Sequence, residues 1–272
     1  MIKEKSAHRI TQLFRKKNED SKIMSLFLTA GYPDLESTVD LILGFEQNGT
    51  DMIELGMPFS DPLADGPTIQ YSSNKAIESG ITMDGIFEMV RGVRKQSEIP
   101  IILMGYVNPV MRYGVEDFCK EASDAGVDGL IIPDLPVEES GILEEKADHY
   151  ELPIIYLVAP NTSDERMRLI DEKSEGFVYC VSVTGVTGAR DGEEVSKSVA
   201  RFIERVKQNI TKNSTMVGFG IKSHEDAEKI ARDMDGFIVG SALIETIRSN
   251  YPDEGWMDEV FAFVRGLKYG NN

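Results

Sequence analysis

Eight short runs of β-branched and apolar residues recur along the chain, and this recurrence restricts the possible folds more than any other feature. The runs are Ile23–Leu28, Met52–Leu55, Ile101–Met104, Gly129–Ile132, Ile154–Val158, Phe177–Val181, Met216–Gly218 and Phe237–Val239. Most do not alternate with polar residues, as expected of parallel strands covered on both faces. Between them the apolar positions change to helical spacing: Thr38, Leu41, Ile42 and Phe45 form one stripe, Ile86, Met89, Val90 and Val93 a second, and Val199, Phe202, Ile203 and Val206 a third. Strands alternating with helices build βαβ units on a parallel sheet. Eight such units predict a closed (β/α)8 TIM barrel, with a doubly wound open sheet as the alternative. The 272 residues match the size of one such barrel, and residues 1–272 are read as a single domain.

Additions to the basic repeat are also expected. Ile10, Leu13 and Phe14 have helical spacing and predict an extra N-terminal helix that plugs the barrel end away from the functional loops. Extra helical segments are expected after strands 2 and 8. A weak internal echo runs through Gly49-Thr50-Asp51, Gly126-Val127-Asp128 and Asp235-Gly236, each leading directly into an apolar run. In each, Gly or Asp marks the turn from helix into strand.

The formal charge of -17 is spread along the chain and leaves no basic footprint for nucleic acid. It also repels anionic substrates at long range, although screening over about 8 Å limits this. Any phosphate site must therefore rely on local donors. Two cysteines, Cys119 and Cys180, cannot make a disulfide framework or a four-thiolate zinc site. No apolar run approaches the roughly 18 residues of a membrane span, and no secretory signal opens the chain. A cytoplasmic location is expected.

Two connections are longer than the rest, one containing Pro58–Pro67 and the other Ser182–Glu193. Barrel active sites occupy loops at the C-terminal strand ends, so both attract attention. Glu54 lies inside the second strand. Burying an ionised carboxylate is costly, so this one is either a structural ion-pair or hydrogen-bond anchor, or a group tuned to give and take a proton near neutrality. Asp65 precedes Gly66-Pro67 and reads equally as turn chemistry, but it follows the strand end carrying Glu54, so both carboxylates can reach one pocket. Glycine-rich loops follow three late strands, at Thr184–Gly188, Gly218–Gly220 and Gly240-Ser241. Each is a tight turn or a cradle of backbone N–H groups for phosphate, and Ser241 can cap a helix through Ala242–Ile247.

Other chemistries lack their residues. A Schiff-base aldolase needs a lysine in a barrel strand, and Lys22 and Lys222 lie outside the apolar runs. His8, His149 and His224 are scattered on or near helices, unlike metal ligands. Carboxylate acid–base chemistry remains.

The run Glu54-Leu55-Gly56-Met57-Pro58-Phe59-Ser60-Asp61-Pro62-Leu63-Ala64-Asp65-Gly66-Pro67-Thr68-Ile69-Gln70 closely resembles the signature of the tryptophan synthase alpha subunit family. The likeness continues through Thr29–Pro33, Tyr106–Pro109, Pro133–Pro136, Ser182–Gly188, Gly218–Ile221 and Val239–Ser241, in order along nearly the whole chain. It implies cofactor-independent retro-aldol cleavage of indole-3-glycerol phosphate to indole and glyceraldehyde 3-phosphate. By resemblance, Glu54 is the general acid–base, Asp65 holds the indole N–H, and Tyr179 is the active-site tyrosine, a position that otherwise reads as a half-buried barrel residue. Gly188, Gly220, Gly240 and Ser241 match phosphate binders. Phe27, Ile131, Leu157 and Phe219 match the indole pocket, and Thr187 the loop that closes over substrate. Pro58, Asp61, Asn108 and Pro136 match the face that docks on a pyridoxal-phosphate beta subunit in an alpha-beta-beta-alpha heterotetramer, so that cofactor is expected in the partner and none in this chain. Met57 and Met104 depart mildly from the family, standing where branched aliphatics are expected. Competing readings are a stand-alone lyase without the partner, a sugar-phosphate isomerase or epimerase barrel, and a non-catalytic phosphate-binding barrel.

Overall fold

The strands form in the predicted places because each buries both faces. In a computed structural model describing residues 9–18, 21–181, 192–218 and 220–270 they are β1 (Ile23–Thr29), β2 (Met52–Gly56), β3 (Ile101–Met104), β4 (Gly129–Ile131), β5 (Leu157–Val158), β6 (Phe177–Val181), β7 (Ser214–Gly218) and β8 (Gly236–Val239). All pair in parallel, in the order β4-β3-β2-β1-β8-β7-β6-β5. A single parallel bridge between Leu130 and Ile154 joins the two ends, with hydrogen bonds from Leu130 N to Pro153 O (2.8 Å) and from Ile155 N to Leu130 O (2.9 Å). The barrel is thus closed, and the open-sheet alternative is excluded. β5 is shorter than the predicted 154–158 run. Of its first residues Ile154 makes this bridge, while Tyr156 N is taken by the Ser174 hydroxyl rather than by a strand carbonyl.

Helices fill the connections. α1 (Arg9–Lys16) precedes the barrel, α2 (Ser37–Gln47) follows β1, and α3 (Pro67–Glu78) and α4 (Met83–Arg94) follow β2. After β3 come α5 (Val107–Tyr113) and α6 (Val115–Ala125), after β4 α7 (Gly141–His149), and after β5 α8 (Asp164–Lys173). The last are α9 (Gly192–Asn209) after β6, α10 (His224–Ile230) after β7, and α11 (Ser241–Asn250) and α12 (Trp256–Tyr269) after β8. The extra helices expected after strands 2 and 8 are α3 and α11. The short α5 was not expected.

Two cores explain the unalternating strands. Met24, Leu26 and Leu28 of β1 pack outward under the helices, whereas Ile23 faces the barrel interior with Met52, Ile102, Ile131, Ile155, Phe177, Tyr179, Met216 and Ile238. Ile10 of α1 joins the interior cluster, and Phe14 stacks on Phe177 at 5.9 Å. α1 therefore plugs the end where the strands begin.

The repeated Asp turns have a common structural cause. Met24 N donates to Asp51 (2.8 Å), Ile101 N to Asp128 (2.8 Å) and Thr215 N to Asp235 (2.9 Å), so the residue entering an even strand hooks the odd strand before it. Ser174 does the same before β6, accepting from Tyr156 N at 3.0 Å. Lys268, Arg94 and Lys17 neutralise the three carboxylates.

Candidate functional site

Glu54 is the middle residue of β2, paired in register with Phe27 of β1 and Ile102 of β3, and wholly buried. Among barrel-interior aliphatics its ionised form loses solvation, which pushes the carboxyl up to about 8; a hydrogen bond from Ser25 partly opposes this. That bond runs from Ser25 Oγ to Glu54 Oε1 at 3.0 Å. Among the described residues Oε2 has no hydrogen-bond partner. At neutral pH the group is therefore mainly a protonated acid inside an apolar barrel.

Asp65 sits higher, where the loop after β2 turns into α3. Gly66 caps that helix and Pro67 opens it, with φ already suited to the first turn. The Asp65 backbone is tied by its N–H to Pro62 O (3.1 Å) and by Gln70 Nε2 to its own carbonyl (2.9 Å). Its carboxylate accepts from the Tyr106 hydroxyl at 2.9 Å, and that hydroxyl accepts from Ala64 N at 3.0 Å. Partial burial raises the Asp65 carboxyl above its ordinary value, and the Tyr106 bond moderates the rise. Phe59 packs on the Tyr106 ring at 5.4 Å. One side chain from the β3 end thus holds three residues of the loop.

Tyr179 projects from β6 into the interior, 7% exposed. Burial, and then the charges of Glu54 and Asp65 once both are ionised, push its phenol well above the ordinary value, so the hydroxyl stays protonated. The ring fits because position 218 is glycine: a Cβ there would lie 2.3 Å from the Tyr179 hydroxyl. Phe27 is seated in the same manner. A Cβ on Gly56 would be 2.5 Å from its ring tip, and one on Gly240 would be 3.4 Å from its Cβ. Phe27, Gly56, Met57, Asp65, Met104 and Tyr106 line one cleft at the C-terminal strand ends, with Glu54 one step deeper.

The remaining predicted residues divide clearly. Ile131 is fully buried in the interior core, and Leu157 is half-buried against it. Gly220 follows β7 with φ of 66°, and nothing lies within 4 Å of where its Cβ would be. Gly240 follows β8. Here one expectation is corrected: Gly240 is the N-cap of α11, and Ser241 is its exposed first residue with no capping bond. The φ of -118° and ψ of -80° at Gly240 complete the turn without a side chain, which leaves the hydroxyl of Ser241 uncommitted at the helix N-terminus. Thr187, Gly188 and Phe219 lie outside the described residues. Half-buried Pro58 and exposed Asp61, Asn108 and Pro136 occupy the rims after β2, β3 and β4, three adjacent strands. Val107 N bonds Asp134 at 2.9 Å, tying two of these rims together. Leu63 (96% exposed) and Met111 (58%) are exposed apolar residues in the connections after β2 and β3.

Sequence reasoning missed Ser25 and Tyr106. A lone hydroxyl inside the first apolar run was the available indication for Ser25. For Tyr106 it was only an aromatic at a strand end.

A family model described as tryptophan synthase alpha chain matches residues 13–269. The tryptophan synthase alpha chain of a Thermoanaerobacter species is 48% identical over 252 residues, covering 93% of this chain and 95% of the relative. That of Christiangramia forsetii is 47% identical over 260 residues, covering 95% and 99%. Among solved structures, tryptophan synthase subunit alpha from Legionella pneumophila superposes with a TM-score of 0.87 at 37% identity, over 97% of this chain and 98% of that one. A chain of the tryptophan synthase complex from Pyrococcus furiosus gives a TM-score of 0.81 at 37% identity, over 90% and 97%.

Proposed function

The chain belongs to the tryptophan synthase alpha chain family, and from that premise we propose that Glu54, Asp65 and Tyr179 form its catalytic group. As an alpha chain it is a carbon–carbon lyase of tryptophan biosynthesis, cleaving indole-3-glycerol phosphate to indole and glyceraldehyde 3-phosphate. The observation that carries the assignment is Glu54: a wholly buried carboxyl, pushed up to about 8 by burial, with one oxygen unpartnered among the described residues.

In this reading the Glu54 carboxyl donates its proton to indole C3. The ring nitrogen becomes cationic, and the Asp65 carboxylate, held by Tyr106, accepts the N–H and stabilises that charge. The electrons of the bond from C3 to the glycerol carbon then return to the ring and neutralise it. The hydroxyl on that carbon loses its proton to the Glu54 carboxylate as the aldehyde forms, which restores the acid. Acid–base help of this kind supplies about 10²–10⁴-fold, and positioning supplies much of the rest. No cofactor in this chain is required. Phe27, Ile131, Leu157 and Phe219 surround the indole. Gly188, Gly220, Gly240 and Ser241 bind the phosphate, where backbone donors offset the acidity of the chain, and Thr187 belongs to the closing loop.

The rims at Pro58, Asp61, Asn108 and Pro136 form the docking face for a beta subunit, which carries pyridoxal phosphate in an alpha-beta-beta-alpha assembly. Their adjacency, with Leu63 and Met111 exposed among them, supports one continuous face. We place the reaction in the cytoplasm. Among the described residues no helix is long and apolar enough to cross a membrane, and both cysteines are buried and free.

The test is indole release from indole-3-glycerol phosphate by wild type, Glu54→Gln and Asp65→Asn, with and without beta subunit. Low activity alone, strong activation by the partner, and near-complete loss in both variants are expected. Full activity without partner would favour a stand-alone lyase.

A further inference from the structure

Ser25 lies on β1 two residues before Phe27, in the barrel interior beside Glu54, and both side chains are wholly buried. Interior positions of such barrels are ordinarily filled by branched aliphatics, so a hydroxyl here needs a reason. Its hydrogen bond goes to Glu54 Oε1 at 3.0 Å. The result is an asymmetric carboxyl, with Oε1 occupied and, among the described residues, Oε2 without a partner.

An acid–base group that protonates carbon and then takes a proton from oxygen keeps one defined geometry toward substrate when the same oxygen serves both steps. A carboxyl free to rotate would present either one. A serine hydroxyl that donates to Oε1 removes that ambiguity, because a proton on Oε1 would compete with the serine for the same lone pairs. Resting on the acid–base reading of Glu54, we propose that Ser25 is a positioning residue: its hydroxyl occupies Oε1, so that the proton exchanged with substrate is carried on Oε2. The same bond stabilises the carboxylate left after C3 is protonated, opposing the penalty of burial. Among the described residues, the ionisable group facing Glu54 from the opposite wall is Tyr179 on β6, with Asp65 above it on the loop after β2. Tyr179 stays protonated through the neutral range. Among the described residues the Ser25 hydroxyl bonds Glu54 and is not a cause of the shift at Tyr179 or Asp65, so a pH limb that moves when Ser25 is changed belongs to Glu54.

The experiment measures kcat and KM for indole release, across the neutral-to-alkaline range and in complex with beta subunit. The proteins are wild type, Ser25→Ala, Ser25→Cys and Glu54→Gln. Cysteine nearly keeps the serine volume but is a weak donor, so it guards against a packing defect in the alanine variant. Both Ser25 variants should lose roughly tenfold in kcat, about the worth of one hydrogen bond to a charged group, with KM little changed. The alkaline limb, where the acid form is lost, should move to higher pH in both. A wild-type kcat and limb in Ser25→Cys, with Glu54→Gln inactive, overturns the positioning role and leaves the acid–base reading standing. A fall in kcat with the limb unmoved shows a packing effect and also overturns it. Activity retained in Glu54→Gln removes the acid–base reading, and this proposal with it.

Discussion

Glu54→Gln should change stability as well as turnover, and the sign follows from burial. In the unfolded chain this carboxyl ionises near 4.5, whereas in the fold it keeps its proton up to about 8. Between those values folding takes up a proton, so stability falls as pH rises through the window and levels off above it. Below the window the penalty is absent. At about 1.36 kcal/mol per pH unit, the climb from 4.5 to about 8 amounts to about 5 kcal/mol at full ionisation. Glutamine has nearly the same shape and no ionisation, so it escapes this cost. Its carbonyl oxygen can keep the Ser25 bond, and the cost of an amide NH2 where Oε2 had no partner does not depend on pH. The assay is urea denaturation of both proteins at closely spaced values from about pH 5 to about pH 9, comparing the difference between them. The variant should gain on wild type by about 1.4 kcal/mol per pH unit and then reach a plateau. Parallel pH dependence of the two proteins would refute the reasoning, because Glu54 would then already be solvated or ionised at neutral pH.

Tyr106→Phe keeps the ring against Phe59 but removes the donor to Asp65 and the acceptor for Ala64, and kcat/KM for indole release should fall by roughly tenfold or more. Gly218→Ala places a Cβ 2.3 Å from the Tyr179 hydroxyl; steady-state assay should show a large loss of activity, and denaturation a cost of about 1–3 kcal/mol. Asp128→Ala removes the counter-charge of half-buried Arg94, which keeps only backbone carbonyls, and frees Ile101 N far from the site, so denaturation should show a loss of about 3 kcal/mol while kcat at low temperature stays near wild type.

The barrel was legible because its strands are apolar on both faces and its helices on one. That same property hid the interior. Met24 and Ile23 look alike in sequence, although one packs under helices and the other inside the barrel. Hence Ser25 could not be assigned to the side that holds Glu54 until the register was known. Tyr106 was illegible for another reason: its bond to Asp65 spans 41 residues and depends on how the loop after β2 folds back over β3. α5 is seven residues long with Pro109 in it, too short for periodicity to show. At Ser241 the sequence read a familiar capping residue, whereas glycine at 240 had already completed the cap by its backbone. Glu54 and Asp65 drew attention because carboxylates beside a buried strand end are expensive without a purpose.

The hooks at the strand entrances have a consequence for how this barrel can be divided. All four join an odd strand to the even strand that follows it, so the wall is a ring of four double staves: β1–β2, β3–β4, β5–β6 and β7–β8. The seam between the second and third staves is a single bridge, Leu130 to Ile154. A chain cut just before that bridge, in the turn after α7, severs no hook and leaves two half-barrels of intact staves. Those halves are the fragments expected to reassociate when expressed separately. A cut inside a stave would separate an aspartate or serine from the strand it holds, leaving a buried N–H without its acceptor.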